Sequence, residues 1–141
     1  MHRLTKSELA QLLPHDDAMC LLETVECWDE ESILCRAISH RSRENPLRSN
    51  DELPAICAVE YAAQAMAVHG ALNGGPRAGM LAALREVELF LHRLDDLNGD
   101  LVIHARKLIR DGDRLLYQFS VRCGDLSLVS GRAAVVLTAA S

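Results

Sequence analysis

A chain of 141 residues fits one domain and is long enough to bury a core without disulfide or metal staples. Apolar residues at 49% and charged residues at 25% exclude a disordered polymer. A net charge of −5, with no Lys/Arg-rich run, argues against nucleic acid or an anionic membrane as partner. The cysteines Cys20, Cys27, Cys35, Cys57 and Cys123 are odd in number, and no pair has the spacing of a zinc or redox site. They read as reduced thiols packed as small apolar groups. Met1-His2-Arg3-Leu4-Thr5-Lys6 has no apolar h-region, so no secretory leader and a cytoplasmic location are expected.

Residues 7–13 read as a short helix capped by Thr5 or Ser7 and ended by Pro14. Residues 20–28 and 33–39 alternate as strands around the turn signal Asp29-Glu30-Glu31-Ser32. The polar segment 40–52 lacks either periodicity, and a loop of that length is often functional. Residues 55–72 follow Pro54 with strong helix formers and stop at Asn73-Gly74-Gly75-Pro76. Strands are then predicted over 80–94, 101–110, 114–123 and 126–138, with Asp111-Gly112-Asp113 and Gly124-Asp125 as turns. There is no repeat or linker, so 1–141 reads as a single domain.

In residues 55–72, 14 of 18 side chains are apolar. A helix apolar nearly all round is expected to be buried nearly all round, and its length, its alanines and its polar Glu60, Gln64 and His69 favour a core helix over a membrane span. One such helix needs a sheet that wraps it. The predicted fold class is therefore α+β, a hotdog arrangement of about five to six antiparallel strands around one long buried helix. The sheet covers one side of the helix, which predicts a second subunit on the other.

Glu60 is the residue in that helix that needs explaining. A carboxylate in an apolar slot is either ion-paired or an acid/base group whose proton affinity is raised by desolvation. Gln64 lies one turn on, placed to orient Glu60 or bond the backbone of a facing loop. His69 is about half a turn round from Glu60 and reads as a core or helix-end histidine. His15, on a Pro-led loop, and His40, at the start of the long loop, are the histidines able to serve as a base near Glu60. His92 and His104 read as surface strand residues. Free N–H groups near Ala55, Ile56 and Cys57 are placed to bind a carbonyl oxygen. Cys57 reads as packing. No metal-ligand cluster, glycine-rich phosphate loop or Ser/His/Asp signature is present, and no cofactor is expected.

Leu12-Leu13-Pro14-His15 with Met19-Cys20-Leu21-Leu22-Glu23, and 53–64 with Glu60 and Gln64, resemble the opening and helix motifs of the FabZ-type hotdog 3-hydroxyacyl-acyl-carrier-protein dehydratases. A fuller resemblance, over nearly the whole chain, is to the ApeP-like dehydratases of aryl-polyene gene clusters. It rests on Asn45-Pro46-Leu47-Arg48, Glu60-Tyr61-Ala62-Ala63-Gln64, Arg93-Leu94-Asp95-Asp96-Leu97 and Ser130-Gly131-Arg132. The resemblance implies dehydration of a 3-hydroxyacyl thioester on acyl carrier protein, in a homodimer or a heterodimer with another hotdog subunit. It implies Glu60 as the catalytic carboxylate, with Gln64, Asn45, His40, Ala55 and Ile56 around the substrate. FabZ-type enzymes carry their catalytic histidine where this chain has Pro46, so the base falls to His15 or His40, and His15 on its stiffer loop is favoured. A hotdog thioesterase and a silent subunit partnering an active dehydratase are the alternatives.

Overall fold

The structure is a computed structural model that describes residues 3–12, 20–74 and 79–137. Helix α1 (Lys6–Leu12) buries Leu9. Thr5 is its cap: Glu8 Oε1 accepts from the Thr5 N–H at 3.1 Å, and the Glu8 N–H reaches Thr5 Oγ1 at 3.5 Å. Strands β1 (Thr24–Trp28) and β2 (Ser32–Ala37) form a hairpin. Asp29 Oδ1 closes it by accepting the Glu31 and Ser32 N–H groups at 2.9 and 2.8 Å. A 3₁₀ turn (Ala55–Cys57) leads into the long helix α2 (Ala58–Gly74). Strands β3 (Gly79–Leu89), β4 (Leu101–Asp111), β5 (Arg114–Cys123) and β6 (Leu126–Leu137) complete the chain.

All six strands form one antiparallel sheet in the order β1-β2-β4-β5-β6-β3. Its period-two pattern turns Ile33, Cys35 and Ala37 of β2, Leu101, Ile103 and Ala105 of β4, and Leu115, Tyr117, Phe119 and Val121 of β5 to one face. Against that face lie Ala58, Tyr61, Ala62, Ala65 and Val68 of α2, all fully or almost fully buried. The alanines let the helix approach, and Tyr61, Tyr117 and Phe119 fill the volume between. This is the hotdog fold.

Three expectations need correcting. Strand β1 starts at Thr24, not residue 20, because Ser39 and Gln64 side chains take up the backbone polar groups of Leu21. Strand β3 ends at Leu89, not residue 94: its register against β6 shifts between Arg85 and Glu88, Glu86 takes a positive φ of 54°, and residues 92–95 turn toward α2. The long helix is not buried all round. Ile56 is 50% exposed, and Glu60 and Ala67 on the same face are exposed as well.

That uncovered helix face has a counterpart on the sheet. Leu81, Leu84 and Leu89 pair with Val135, Ala133 and Val129, whose side chains are buried. Directly paired residues point to the same side of a sheet. These leucines therefore face the helix side, yet stay 37%, 39% and 46% exposed because the described residues leave them incompletely covered. Phe90 adds a further exposed ring at 50%.

Gly131 sits where the sheet leaves no room for a side chain. It is paired with Phe119, and a Cβ there would sit 3.0 Å from both Phe119 Cζ and Val87 Cγ2 and 3.2 Å from the Val87 Cα. The Val87 backbone cannot yield as a side chain does. Gly131→Ala is expected to destabilise the fold by about 1–3 kcal/mol. Urea denaturation checks this, and a change within about 0.5 kcal/mol, the range of a neutral surface substitution, would contradict it.

Candidate active site at the start of the long helix

The first turn of the helical segment is held by the 92–95 turn. The Leu94 N–H donates to the Leu53 carbonyl at 2.8 Å, the Leu53 N–H to Asp95 Oδ1 at 2.8 Å, and the Ala55 N–H to the His92 carbonyl at 3.0 Å. Pro54 caps the 3₁₀ turn with extended ψ, and its carbonyl accepts the Cys57 N–H at 3.0 Å. Of the three N–H groups expected to be free, those of Ala55 and Cys57 are therefore taken. The Ile56 N–H has no partner among the described residues. Arg93 braces this turn by pairing with Asp95 and, at 3.0 Å, with Glu52. The Arg93 hydrogen bond is the main reason the Asp95 carboxyl lies well below the usual carboxylate range, with the Leu53 N–H adding to it.

A second network ties the long loop to α2. Asn45 Nδ2 donates to Tyr61 Oη and to the Ser39 carbonyl, each at 3.0 Å, while Asn45 Oδ1 accepts the Leu47 N–H at 2.9 Å. Ser39 Oγ donates to the Leu21 carbonyl at 2.7 Å. The Tyr61 hydroxyl, already an acceptor from Asn45, then donates to Ser39 Oγ at 2.8 Å. Burial pushes the Tyr61 phenol up, so it stays a neutral donor. Gln64 takes the backbone option: its Oε1 accepts the Leu21 N–H at 2.9 Å. Asn45 and Gln64, expected around the substrate, thus brace the loop and the segment before β1.

The histidines separate. His40 does not overhang a cleft; its ring is fully buried, and Nε2 meets the Leu97 carbonyl at 3.1 Å. Burial lowers its proton affinity. His69 is a satisfied core histidine on the opposite face of α2 from Glu60. Its Nε2 donates to the Asp29 carbonyl at 2.8 Å, and its Nδ1 accepts from the Tyr117 hydroxyl at 2.7 Å. His15 lies outside the described residues. His92 is the residue sequence reasoning passed over: it reads as part of a surface strand, yet its carbonyl bonds Ala55 and its exposed side chain belongs to the turn beside the helix start. The only signal was its place directly before the Arg93-Leu94-Asp95 motif.

Glu60 stands exposed on α2, so this chain alone does not provide the apolar slot expected around it. Cys57, one turn earlier, is half-buried, and burial together with the Glu60 charge raises its thiol. It is packing rather than a thiolate nucleophile. From Glu60 the same helix face continues as Ala63, Ala67 and Gly70, the i, i+3, i+7, i+10 positions. These small residues, with Leu81, Leu115 and Leu137, line an apolar cavity of about 70 Å³. An acidic side chain and a partnerless N–H thus lie on the helix face that continues into the lining of this cavity. Among the described residues no cluster of His, Cys, Asp or Glu could hold a metal.

The Asp95 carboxylate generates a pH prediction. Its proton affinity is lower folded than unfolded, so the unfolded chain binds more protons as pH falls, and the stability it contributes is complete above the unfolded pKa of about 4. Asp95→Asn is expected to lower the thermal midpoint at pH 7. The gap to wild type should narrow as pH falls from about 4 toward 2. A pH-independent gap in a thermal-melt series would contradict the assignment.

The sequence matches the ApeP-like family, described as ApeP dehydratase, over residues 7–140. No curated protein matches it. Among solved structures, the dehydratase heterocomplex ApeI:P from Xenorhabdus doucetiae superposes with a TM-score of 0.80 at 23% identity, covering 93% of this chain and 91% of that one. The thioesterase HI1161 from Haemophilus influenzae gives a TM-score of 0.70 at 13% identity, covering 96% and 91%. The PaaI protein of the E. coli phenylacetic acid degradation operon gives 0.65 at 11%, covering 93% and 88%. These likenesses carry the fold, and the match over nearly the whole sequence carries the family: this chain is a hotdog-fold member of the ApeP-like dehydratases.

Proposed function

We propose that this chain takes part in dehydrating a 3-hydroxyacyl thioester, carried on the phosphopantetheine arm of acyl carrier protein, to the trans-2-enoyl thioester, in fatty-acid-like or aryl-polyene biosynthesis. The observation that carries this is the exposed Glu60, which follows the partnerless Ile56 N–H by one turn and shares a helix face with Ala63, Ala67 and Gly70 of the apolar cavity. In this reading the acyl chain lies along this face and the thioester carbonyl accepts from the Ile56 N–H. A base takes the C2 proton, and the electron pair forms the C2–C3 double bond. Protonated Glu60 gives its proton to the departing C3 hydroxyl, which leaves as water. His15 is the proposed base. The exposed Glu60 also supports a second reading, in which the carboxylate activates water and releases free acid, as a hotdog thioesterase would.

Mass spectrometry of the products from a 3-hydroxyacyl carrier substrate decides between them. Enoyl thioester is expected, with Glu60→Gln and His15→Ala each slowing turnover about 10²–10⁴-fold. Free acid plus free thiol would establish the thioesterase. Turnover unchanged in both variants would sink the dyad, and loss in His92→Ala but not His15→Ala would move the base to His92. Activity seen only after mixing with a second hotdog chain would make this chain the partner of an active dehydratase.

A second hotdog subunit, a copy of this chain or a different one, is the proposed cover for Ile56, Leu81, Leu84, Leu89 and Phe90, and it would give Glu60 the desolvated slot the chemistry needs. The ApeI:P heterocomplex supports the unlike pairing. Light scattering at micromolar concentration should report a dimer, or a heterodimer once the second subunit is added. Leu84→Asp is expected to weaken association at least tenfold, since it would bury an unpaired charge. A wild-type chain that stays monomeric under both conditions would count against this.

A further inference from the structure

The face of α2 that runs from Glu60 through Ala63 and Ala67 reaches Gly70. Gly70, Leu115 and Leu137 line the apolar cavity and also a second one, of about 190 Å³, at the far end of α2. The remaining walls of that second cavity are polar: His69, Asn73 and Tyr117 on the inside, with Lys107, Arg110 and Glu30 around it. Gly70 stands at the junction. Glycine is the poorest helix former apart from proline, so its presence inside a helix calls for a reason. Neither a positive φ nor close packing supplies one: a Cβ at Gly70 would meet nothing within 4 Å. What the missing side chain leaves is open space where the two cavities share their lining.

The polar cavity is electrostatically unfinished. Neither Lys107 nor Arg110 makes an ion pair among the described residues, and Arg110 Nε bonds only the Gly112 carbonyl, at 3.3 Å. Glu30 is the one carboxylate among the lining residues and pairs with neither cation. His69 and Tyr117 satisfy one another and the Asp29 carbonyl, so they form a fixed neutral wall. Asn73 Nδ2 is held on the same Asp29 carbonyl at 3.1 Å.

We infer that the chain-binding groove passes Gly70 and ends in a polar pocket that selects acyl chains whose far end carries an anionic oxygen group, held by Lys107 and Arg110. This deepens the acyl-thioester reading and rests on it. From Glu60 to Gly70 the helix rises about 15 Å. An extended chain advances about 1.2 Å per bond, so roughly twelve bonds reach Gly70.

The test is calorimetric binding of three non-reactive pantetheine amides to the protein, with its partner subunit where one is required: 3-hydroxybutyryl, 3-hydroxytetradecanoyl, and the ω-carboxylate counterpart of the latter. The ω-carboxylate probe is expected to bind at least tenfold tighter than its methyl-ended twin. Lys107→Met should erase that preference. Gly70→Leu, which fills open space and adds a better helix former, should cut the ratio of ω-carboxylate to butyryl affinity at least tenfold. Equal binding of the two long probes, or an unchanged ratio in Gly70→Leu, would overturn the inference. If only the ω-carboxylate probe binds and Gly70→Leu abolishes it, the pocket stands, while the placing of the thioester beside Glu60 fails. If no probe binds, both fail.

Discussion

The hydrogen-bonded collar around residues 53–57 is the constraint on which the rest of the site depends. A helix start leaves backbone donors unpaired, and here most are assigned to defined acceptors: Leu53 to Asp95, Ala55 to His92, Cys57 to Pro54. This pairing sets where α2 begins and how it is rotated. The rotation in turn determines that Tyr61 and Gln64 point into the fold while Ile56, Glu60, Ala63 and Ala67 point out of it. Were the collar to shift by one residue, each side chain on α2 would turn about 100° and Glu60 would leave the exposed face of the helix.

The Asn45–Tyr61–Ser39 relay does for the long loop what the collar does for the helix. A thirteen-residue polar segment has little periodicity to hold it, and its order comes from buried polar bonds. Each N–H and O–H hydrogen in the relay has one acceptor, and its direction runs from the Asn45 amide to the Leu21 carbonyl. Buried networks of this kind are favourable only when complete. Asn45 is therefore already fully engaged beside Pro46, where FabZ-type relatives carry their histidine. The loop in this chain is built to be rigid rather than to offer a base at that point.

Much of this was legible from residue pattern. The alternation of Leu115, Tyr117, Phe119 and Val121 defined a strand and its buried face, and Pro54 and Gly74 bounded the helical segment. Glu60 stood out because it interrupts an apolar stretch. What pattern did not disclose was which apolar face meets the core and which awaits another chain. Leu84 and Leu115 are the same residue type in strands of the same sheet, but one lies 39% exposed at the edge and the other is buried near the centre. Nor did it disclose contacts distant in sequence. His40 is buried by the Leu97 carbonyl, and the 92–95 segment abandons its strand pattern to serve the helix start. Local alternation carries no record of either.

The kink in β3 has a consequence for assembly. An eleven-residue edge strand with apolar side chains is an open template, and a flat one would recruit any extended segment. The register slips between Leu81 and Ala83 and between Arg85 and Glu88, the second with the left-handed Glu86, break that template into three short runs. A regular extended segment does not follow these runs in a single register. An edge interrupted in this way is a poorer template for the open-ended stacking that leads to fibres.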